Sequence, residues 1–355
     1  MSKELGEPQT ALTRRTVLKI SGGAAAASLA MPAYLRPAWA AGKNLVVVNS
    51  GGAMGDAKRT ALYEPFTKKT GIDIITVAGP ELAKIKVQVQ QKSVEWDVVD
   101  LLEAWVPQAL RENLLEPIDA KIVDTSKVLA RARGTHAVAG TIFSGGIAFP
   151  ANRLKPIATW ADFWDVQKFP GRRGLRTRIN DTLEIALMAD GVPPSQVYPC
   201  DIERAFKALD RIKPWVSHWI AQTAQTVSLI QSNETDYTFT YTTRVKDMQA
   251  ANVPIDYSFR QNILGVGWLG VPRGSKNRDA AMQFLDFCLD PDRQAELTNK
   301  SGDAPTNPTA LAKVEPAIKR WLVDVESPDN LFTNAGWWDT NLEALSIRFK
   351  EWLLT

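Results

Sequence analysis

The sequence predicts an α/β fold of two lobes joined by two crossover strands, and three observations predict it. First, residues 44–49 form an apolar run with Leu-Val-Val-Val at its centre, typical of a buried parallel strand. Second, helical and strand-like segments alternate after this run, which indicates βαβ units and a sheet covered by helices. Third, the apolar run 140–150 contains glycine and is followed by no helix, so the alternation stops there.

Each element before this break follows from its local pattern. Ser50-Gly51-Gly52 ends the first strand, and Gly71 ends the helix that comes next. The predicted elements are a strand over 44–49, a helix over 55–70, a strand over 72–77, a helix over 81–91 and a strand over 96–101.

A second α/β region begins at Thr159-Trp160. Its predicted elements are helices over 181–190 and 201–212, strands over 237–241, 253–257 and 263–271, and an amphipathic helix over 279–299. We expect a first, discontinuous lobe over 41–146 and 265–355, and a second lobe over 147–264. The two extended crossovers between the lobes form the predicted hinge, with a ligand cleft between the lobes.

The N-terminus carries an export pattern. Two arginines in 13–19 precede an apolar pair and a lysine, and a weakly hydrophobic run rich in Ala and Gly follows to about Tyr34. Ala38-Trp39-Ala40 then supplies small residues at the two positions that a signal peptidase reads. The pattern resembles a twin-arginine (Tat) signal over 1–40, with the mature chain starting near Ala41. A membrane anchor is the alternative, but the run is shorter than the ~20 residues that span a bilayer.

Composition argues against several classes of function. The formal charge of +3 is small and the Lys and Arg residues form no cluster, which argues against nucleic acid as a partner. Cys200 and Cys288 are distant in sequence, and we expect free buried thiols although export permits a disulfide. His136 and His218 have no metal-ligand spacing with other donors, and no nucleophile elbow, phosphate loop or paired acid/base motif occurs. We therefore expect no enzyme, no catalytic residue, no cofactor and no metal.

Six segments of the chain recur in one known family. They are Ser-Gly-Gly at 50–52, Pro65 to Ile72, Leu114 to Asp119, Thr159 to Trp164, Val271 to Asn277 and Pro305 to Asn307. Together they resemble the spermidine/putrescine-type periplasmic substrate-binding proteins of ABC transporters. The resemblance implies a two-lobed type II periplasmic binding protein fold and a monomer that captures a small molecule and docks on a membrane permease. It defines the ligand less narrowly, because this branch also binds amino acids such as 4-aminobutyrate.

The sequence departs from the polyamine-binding members where they hold the ammonium groups of the ligand. One family carboxylate lies in the second crossover strand, where this chain has Gly265-Val266-Gly267-Trp268. Another pair of family carboxylates aligns with Arg178 and Asp181 of this chain, so an arginine stands in place of one of the two acids. A diammonium ligand buried without carboxylate partners is strongly unfavourable. We therefore expect a carboxylate-bearing or zwitterionic, amino-acid-like solute, with a polyamine as the alternative.

Two arginines are candidates for binding a ligand carboxylate. Arg244 matches an arginine of the amino-acid-binding members, and a guanidinium can grip a carboxylate with two parallel hydrogen bonds. Its alternative is a surface residue or an ion pair with Asp247. Arg178 is the second candidate, and its alternative is a place in a solvated basic loop. That loop contains Arg172, Arg173 and Arg176.

Further candidates follow predicted strands, whose ends bind ligands in open α/β sheets. The backbone amides of Ser50-Gly51-Gly52 either reach an anionic group or form a plain turn. Glu103 and Trp105 supply either an acceptor and an aromatic wall, or a helix cap and a buried ring. Tyr241 lies where polyamine binders place a stacking ring, and a core tyrosine is the alternative.

The hinge and one loop supply the last candidates. Gln261 and Asn262 precede the second crossover and Trp268 lies on it, where amides either hold a ligand or fix the backbone. Asp303 pairs with a ligand amine if it points into the cleft, whereas a solvent-facing Asp303 favours a plain anion as ligand. Glu103 with Asp303 is the only acid/base pair available to an enzyme on this fold. Such an enzyme and a sensory receptor are the remaining alternatives.

Overall fold

One mixed sheet of eleven strands runs through residues 44–355, the part of the chain that the computed structural model describes. In chain order the strands are β1 (Asn44–Asn49), β2 (Asp73–Ala78), β3 (Val98–Leu101), β4 (Ala137–Pro150), β5 (Arg173–Arg176), β6 (Val216–Ile220), β7 (Tyr237–Tyr241), β8 (Ile255–Tyr257), β9 (Ile263–Gly270), β10 (Ala304–Pro305) and β11 (Leu331–Phe332). The main path is β2-β1-β3-β9-β4-β7-β5-β6, with β8 and β10 paired to β4 and β11 to β9. The predicted export signal over 1–40 and the start near Ala41 lie outside the described residues.

Helices cover this sheet. In chain order the α-helices of the described residues are α1 (Gly52–Lys58), α2 (Glu64–Thr70), α3 (Leu82–Gln90), α4 (Val106–Arg111), α5 (Trp160–Trp164), α6 (Ile179–Ala189), α7 (Ile202–Ile212), α8 (Gln225–Gln231), α9 (Thr242–Ala250), α10 (Arg278–Cys288), α11 (Pro291–Ser301), α12 (Pro316–Lys319) and α13 (Ala335–Leu354). A π-helical turn over Arg59–Tyr63 joins α1 to α2, so one helical segment fills 52–70, close to the predicted 55–70.

The predicted βαβ units at the start of the chain are confirmed. β1 pairs in parallel with both β2 and β3, with Leu45 opposite Ile74 and Val47 opposite Val98. Gly71 ends α2 in the left-handed conformation, at φ 76°, which glycine adopts without strain. β1 and β3 therefore point their carboxyl ends to one edge of the sheet, where the segments 50–52 and 103–105 begin.

β4 and β9 are the two crossover strands. They pair antiparallel over a long ladder, from Ala137 opposite Gly270 to Gly145 opposite Ile263. Glycine is needed on this ladder, because a Cβ at Gly265 would lie 2.2 Å from Cζ of Phe143. The ring of Phe143 thus packs directly on the backbone of the second crossover.

Two large hydrophobic cores lie on the sheet. The first joins residues of 45–142 with residues of 264–323, such as Phe66 and Phe284. The second gathers residues of 147–263, such as Trp160 and Phe239, and extends to the C-terminal helix. This is the predicted two-lobed arrangement. The residue boundaries of the lobes stay a prediction, because the sheet is continuous through both cores.

The C-terminal helix α13 contacts elements of the second core and of a smaller core around β3. It packs on α6 and on the segment 103–111. Trp338, Leu345 and Phe349 recur at helical spacing, and their buried side chains belong to the second core. Arg111 of α4 also forms an ion pair with Asp339 of α13. The sequence assigns 265–355 to the first lobe, whereas this helix buries its apolar face mainly in the second core.

The prediction of one helix over 279–299 is wrong, because the segment is divided into α10 and α11. The carboxylate of Asp290 accepts a hydrogen bond from the backbone N of Asp292 at 2.9 Å and caps α11. Pro291 occupies the first turn of α11, where its missing N–H costs nothing, but it cannot continue α10.

Both cysteines are buried and free, as predicted. Burial raises the pKa of each thiol, so Cys200 and Cys288 stay protonated and unreactive at neutral pH. Among the helices of residues 44–355, none combines the length and the apolar character that a bilayer span requires.

Candidate ligand-binding site

Two predicted site residues, Arg178 and Tyr241, meet in the structure. Arg178 lies at the N-cap position of α6, and Tyr241 ends β7. Nη2 of Arg178 donates to the carboxylate of Asp181 and, at 2.5 Å, to the hydroxyl of Tyr241. Burial lowers the pKa of Arg178, but Asp181 and Tyr241 raise it by more, so the guanidinium stays charged. Asp181 holds a positive φ of 70°, an unfavourable backbone conformation that is often found at functional sites.

The interpretation of 172–176 as a solvated basic loop is wrong. Arg173 and Arg176 are the two ends of β5, an interior strand between β7 and β6. Because neighbouring strands cover it on both sides, all four residues of β5 are buried. Arg172 lies just before the strand, is half exposed and forms an ion pair with Asp236 at 2.9 Å.

Arg176 is a buried cation with too few acceptors. Its side chain is only 5% exposed, and its Nη2 donates to the carbonyl of Ala221 at 3.0 Å. Nε and Nη1 of Arg176, and Nε of Arg178, have no acceptor among residues 44–355. Burial lowers the pKa of Arg176, and the nearby charge of Arg178 lowers it further. The sequence analysis missed Arg176 as a site residue. The available signal was its closeness in sequence to Arg178, which lies two residues further on at the N-cap position of α6.

Asp303 is a buried carboxylate without a donor. It lies between α11 and β10 and is 8% exposed. Its backbone N donates to Oγ of Ser301 at 3.1 Å, but within residues 44–355 no donor forms a hydrogen bond to its carboxylate. Burial raises the pKa of Asp303 to about 7, against the opposing charges of Lys58 and Lys246. Little of the Asp303 side chain is therefore exposed to solvent.

Lys246, a residue of α9, contacts the segment that contains Asp303. Its Nζ donates to the carbonyl of Lys300 at 3.4 Å, and its Cε lies 2.9 Å from the position of a Cβ on Gly302. Tyr241 immediately precedes α9 and Lys246 lies five residues further on, so the two are roughly 8 Å apart along the helix. α9 thus runs from the Arg178–Tyr241 pair to the segment 300–302 that precedes Asp303.

Lys58 of α1 is the other cation near Asp303. It forms an ion pair with Asp100 of β3 at 2.6 Å, and both side chains are mostly buried. Oδ1 of Asp100 has no hydrogen-bond donor in the described part of the chain. Neither Lys58, Asp100 nor Lys246 was predicted from sequence, since single charges far apart in the chain give no local pattern.

The Ser50-Gly51-Gly52 segment forms a strand-to-helix turn. Gly51 and Gly52 have φ of 69° and 57°, which favours glycine at both positions. The backbone N of Gly51 donates to Oδ1 of Asn49 at 2.7 Å, so this amide is already used within the turn. Ser50 is exposed.

Glu103 and Trp105 lie in a 3₁₀ turn after β3. Oε2 of Glu103 accepts a hydrogen bond from Oγ1 of Thr333 at 2.7 Å. Burial raises the pKa of Glu103, and the hydrogen bond from Thr333 opposes this. Trp105 is partly buried and packs on the small core around β3, so both residues have protein partners.

Gln261 and Asn262 are tied to the protein before the second crossover. Oε1 of Gln261 accepts from the backbone N of Trp160 at 2.9 Å. Oδ1 of Asn262 accepts from the hydroxyl of Tyr257 at 2.5 Å, and Asn262 is fully buried. Trp268 packs between two cores, and its Nε1 has no acceptor within 44–355.

Arg244 lies on α9 apart from these groups. Its side chain is exposed, and none of the ion pairs found within 44–355 includes it. Asp247, its alternative partner, instead pairs with Lys246 at 3.3 Å. The structure therefore brings together Arg178 and Tyr241, with Arg176 near them, and places Asp303 near Lys58 and Lys246. The other predicted residues lie on separate elements or are satisfied by the protein.

The fold and this arrangement of charges define a two-lobed protein that binds a small solute rather than transforming it. The chain belongs to the bacterial extracellular solute-binding protein family, whose model matches residues 61–322. It is the substrate-binding component of an ABC transporter, it is not an enzyme, and it acts in the periplasm.

Curated relatives of the chain bind two kinds of ligand. The gamma-aminobutyric acid-binding protein of Pseudomonas aeruginosa is 29% identical over 334 residues, which cover 90% of this chain and 94% of that protein. The spermidine/putrescine-binding periplasmic protein of Escherichia coli K12 is 23% identical over 309 residues, covering 82% and 86%.

Solved structures share the whole fold. A GABA receptor is 31% identical, with a TM-score of 0.81, and the match covers 88% of this chain and 98% of the receptor. An ABC transporter substrate-binding protein from Bradyrhizobium japonicum is 31% identical, with a TM-score of 0.82, and the match covers 88% and 99%. The predicted type II periplasmic binding protein fold is confirmed.

Proposed function

We propose that this protein captures a zwitterionic, amino-acid-like solute between its lobes and delivers it to a membrane permease. The observation that carries the proposal is Asp303, a buried carboxylate that accepts no hydrogen bond from the described residues. A buried carboxylate is costly without a partner, and a ligand ammonium group supplies both the charge and the donors.

The opposite end of the solute fits the Arg178–Tyr241 pair. Arg178 keeps its charge and still has an unused buried Nε, while its Nη2 is fixed by Asp181 and Tyr241. A fixed guanidinium loses little entropy when it binds a carboxylate. The similarity to proteins that bind gamma-aminobutyric acid supports the same class of ligand.

A polyamine fits less well, because it needs two carboxylates free for ammonium groups. Asp181 is already paired with Arg178, and Asp100 with Lys58. Of these three carboxylates, Asp303 is the one without an ion pair, and the buried cation Arg176, two of whose nitrogens have no acceptor among residues 44–355, disfavours a second ligand cation beside it. The more distant relation to the spermidine/putrescine-binding protein agrees with this order of preference.

The remaining parts of the proposal rest on sequence and family. These parts are export by the Tat pathway, a monomeric state, and two lobes, one over 41–146 plus 265–355 and the other over 147–264. Closure stabilises the complex, because only the closed form surrounds the solute with groups from both lobes. Lys246 is placed to join the lobes on closure, since it already contacts the segment 300–302.

The test is thermal unfolding of the mature protein with 4-aminobutyrate, butyrate and putrescine, each at high excess. A ligand at a thousand times its Kd stabilises the native state by about 4 kcal/mol, a shift of several degrees. We expect a shift with 4-aminobutyrate or a related ω-amino acid, and none with putrescine. Asp303→Asn should abolish it, whereas the exposed Asp279→Asn should not. A shift with putrescine alone, or an Asp303→Asn variant that binds like wild type, contradicts the proposal.

A further inference from the structure

Two arginines of β5 differ sharply in how their charges are satisfied. Arg173 is fully buried and donates to three backbone carbonyls, those of Phe163, Phe169 and Gly171, at 3.0, 2.5 and 2.6 Å. Arg173 is therefore a structural residue that holds the turn before β5. Arg176, on the same strand, has one carbonyl acceptor and two unused buried nitrogens.

We propose that Arg176 holds the carboxylate of the solute together with Arg178, forming a double-guanidinium subsite. This inference rests on the proposed function and assigns the anionic end of the ligand to a residue that the motif analysis passed over. Arg176 ends β5, and Arg178 lies two residues further on at the N-cap position of α6. The charge of Arg178 lies near enough to Arg176 to lower its pKa.

The unmatched charge identifies what must bind there. Arg178 is balanced by Asp181, but no carboxylate in the described part of the chain forms an ion pair with Arg176. Asp181 acts on both guanidinium groups but carries one negative charge against two positive charges, so a second anion would stabilise the pair. A buried water could accept a hydrogen bond but would not neutralise the charge.

The free donors suit a carboxylate. Nε and Nη1 of Arg176 and Nε of Arg178 are three donor nitrogens without acceptors, with four N–H groups in all, and a carboxylate offers about four lone-pair positions. The hydroxyl of Tyr241, already bound to Arg178, limits the space on that side. An inorganic anion has the same chemistry, so the experiment must distinguish it from the solute.

The experiment uses the mature protein and Arg176→Met, which removes the charge while keeping a long apolar side chain. Calorimetric titration measures the affinity for 4-aminobutyrate and for its analogue 4-aminobutanamide, which keeps the ammonium group but has no carboxylate. We expect Arg176→Met to weaken binding of 4-aminobutyrate on the order of a hundredfold, with little effect on the amide. The half-exposed Arg172→Met, which removes one charge outside the site, should leave both affinities unchanged.

Thermal unfolding of the ligand-free proteins supplies a second readout. Removing an unsatisfied buried charge should raise the melting temperature of Arg176→Met above that of wild type, because the cost of burying the charge is relieved. A lower melting temperature would mean that the protein itself satisfies Arg176, and it overturns the inference whatever the ligand.

The outcomes separate the inference from the proposed function. If wild type binds no zwitterion, the proposed function fails. If it binds 4-aminobutyrate and Arg176→Met binds equally well, the inference fails alone. If inorganic phosphate stabilises wild type through Arg176 while binding of 4-aminobutyrate is unchanged in the variant, Arg176 holds an inorganic anion and the inference is again overturned.

Discussion

Glu184 makes the stability of this protein depend on pH in a direction that can be worked out. Its side chain is fully buried on α6, and Oε1 accepts from the hydroxyl of Tyr198 at 2.5 Å and from Nε1 of Trp338 at 2.6 Å. Oε2 has no donor among residues 44–355. Burial raises the pKa of Glu184 from 4.5 to about 7, and the charge of Asp181 adds to this.

The sign and size of the effect follow from linkage. The folded protein binds the proton more tightly than the unfolded chain between pH 4.5 and about 7. The free energy of unfolding is therefore greatest below this pH window. It falls as the pH rises through the window and stays at its lower value above the window. At about 1.4 kcal/mol per pKa unit, the ionised carboxylate costs the folded state roughly 3 kcal/mol at pH 8.

The perturbation is Glu184→Gln, which keeps the acceptor for Tyr198 and Trp338 but cannot ionise. Asp303, whose pKa is also raised to about 7, titrates in the same window, so both proteins should carry Asp303→Asn. Urea unfolding between pH 5 and 8 should show a fall in stability for Asp303→Asn alone that is larger, by roughly 2–3 kcal/mol, than for the double variant. Parallel curves for the two proteins would refute the reasoning, because they would mean that Glu184 keeps an ordinary pKa.

Three further predictions concern stability and are read from urea unfolding at constant pH. Arg173→Met should destabilise the protein by about 3 kcal/mol or more, since three buried carbonyls lose their donor; a loss below about 1 kcal/mol would contradict the structural role assigned to Arg173. Gly265→Ala should cost about 1–3 kcal/mol, because the new Cβ meets the ring of Phe143, and unchanged stability would show that the ring can move aside. Asp290→Ala should cost about 1 kcal/mol by removing the cap of α11, whereas Asp290→Asn, which can still cap, should cost less.

The sequence predicts those parts of the fold that local patterns encode. The apolar run of β1, the glycine that ends α2 and the alternation of strands and helices suffice for the parallel half of the sheet. The break between α10 and α11 also has a local signal, the Asp290-Pro291 pair. The apolar stripe that continues on both sides of this pair obscured the signal. α13 escaped prediction because its apolar face is set by two elements that lie far away in sequence.

The candidate site is less predictable, because burial decides it and burial is a property of the whole sheet. The residues around Arg176 have the composition of a surface loop. Its charge is buried only because β5 is an interior strand of the sheet. Arg178 and Tyr241 were found through family position, whereas Gln261 and Asn262 prove to be occupied by hydrogen bonds within the protein. Asp303 could be named but not placed, since the sequence shows neither its burial nor the nearby charges of Lys58 and Lys246, which come from distant parts of the chain.

The position of α13 has a consequence for the order in which the molecule can fold. Trp338, Leu345 and Phe349 complete a core that begins at Ile147, far earlier in the chain. Until α13 docks, the apolar side chains that it covers remain exposed, a state in which folding chains aggregate or engage chaperones. A product that lacks α13 therefore cannot complete the second core.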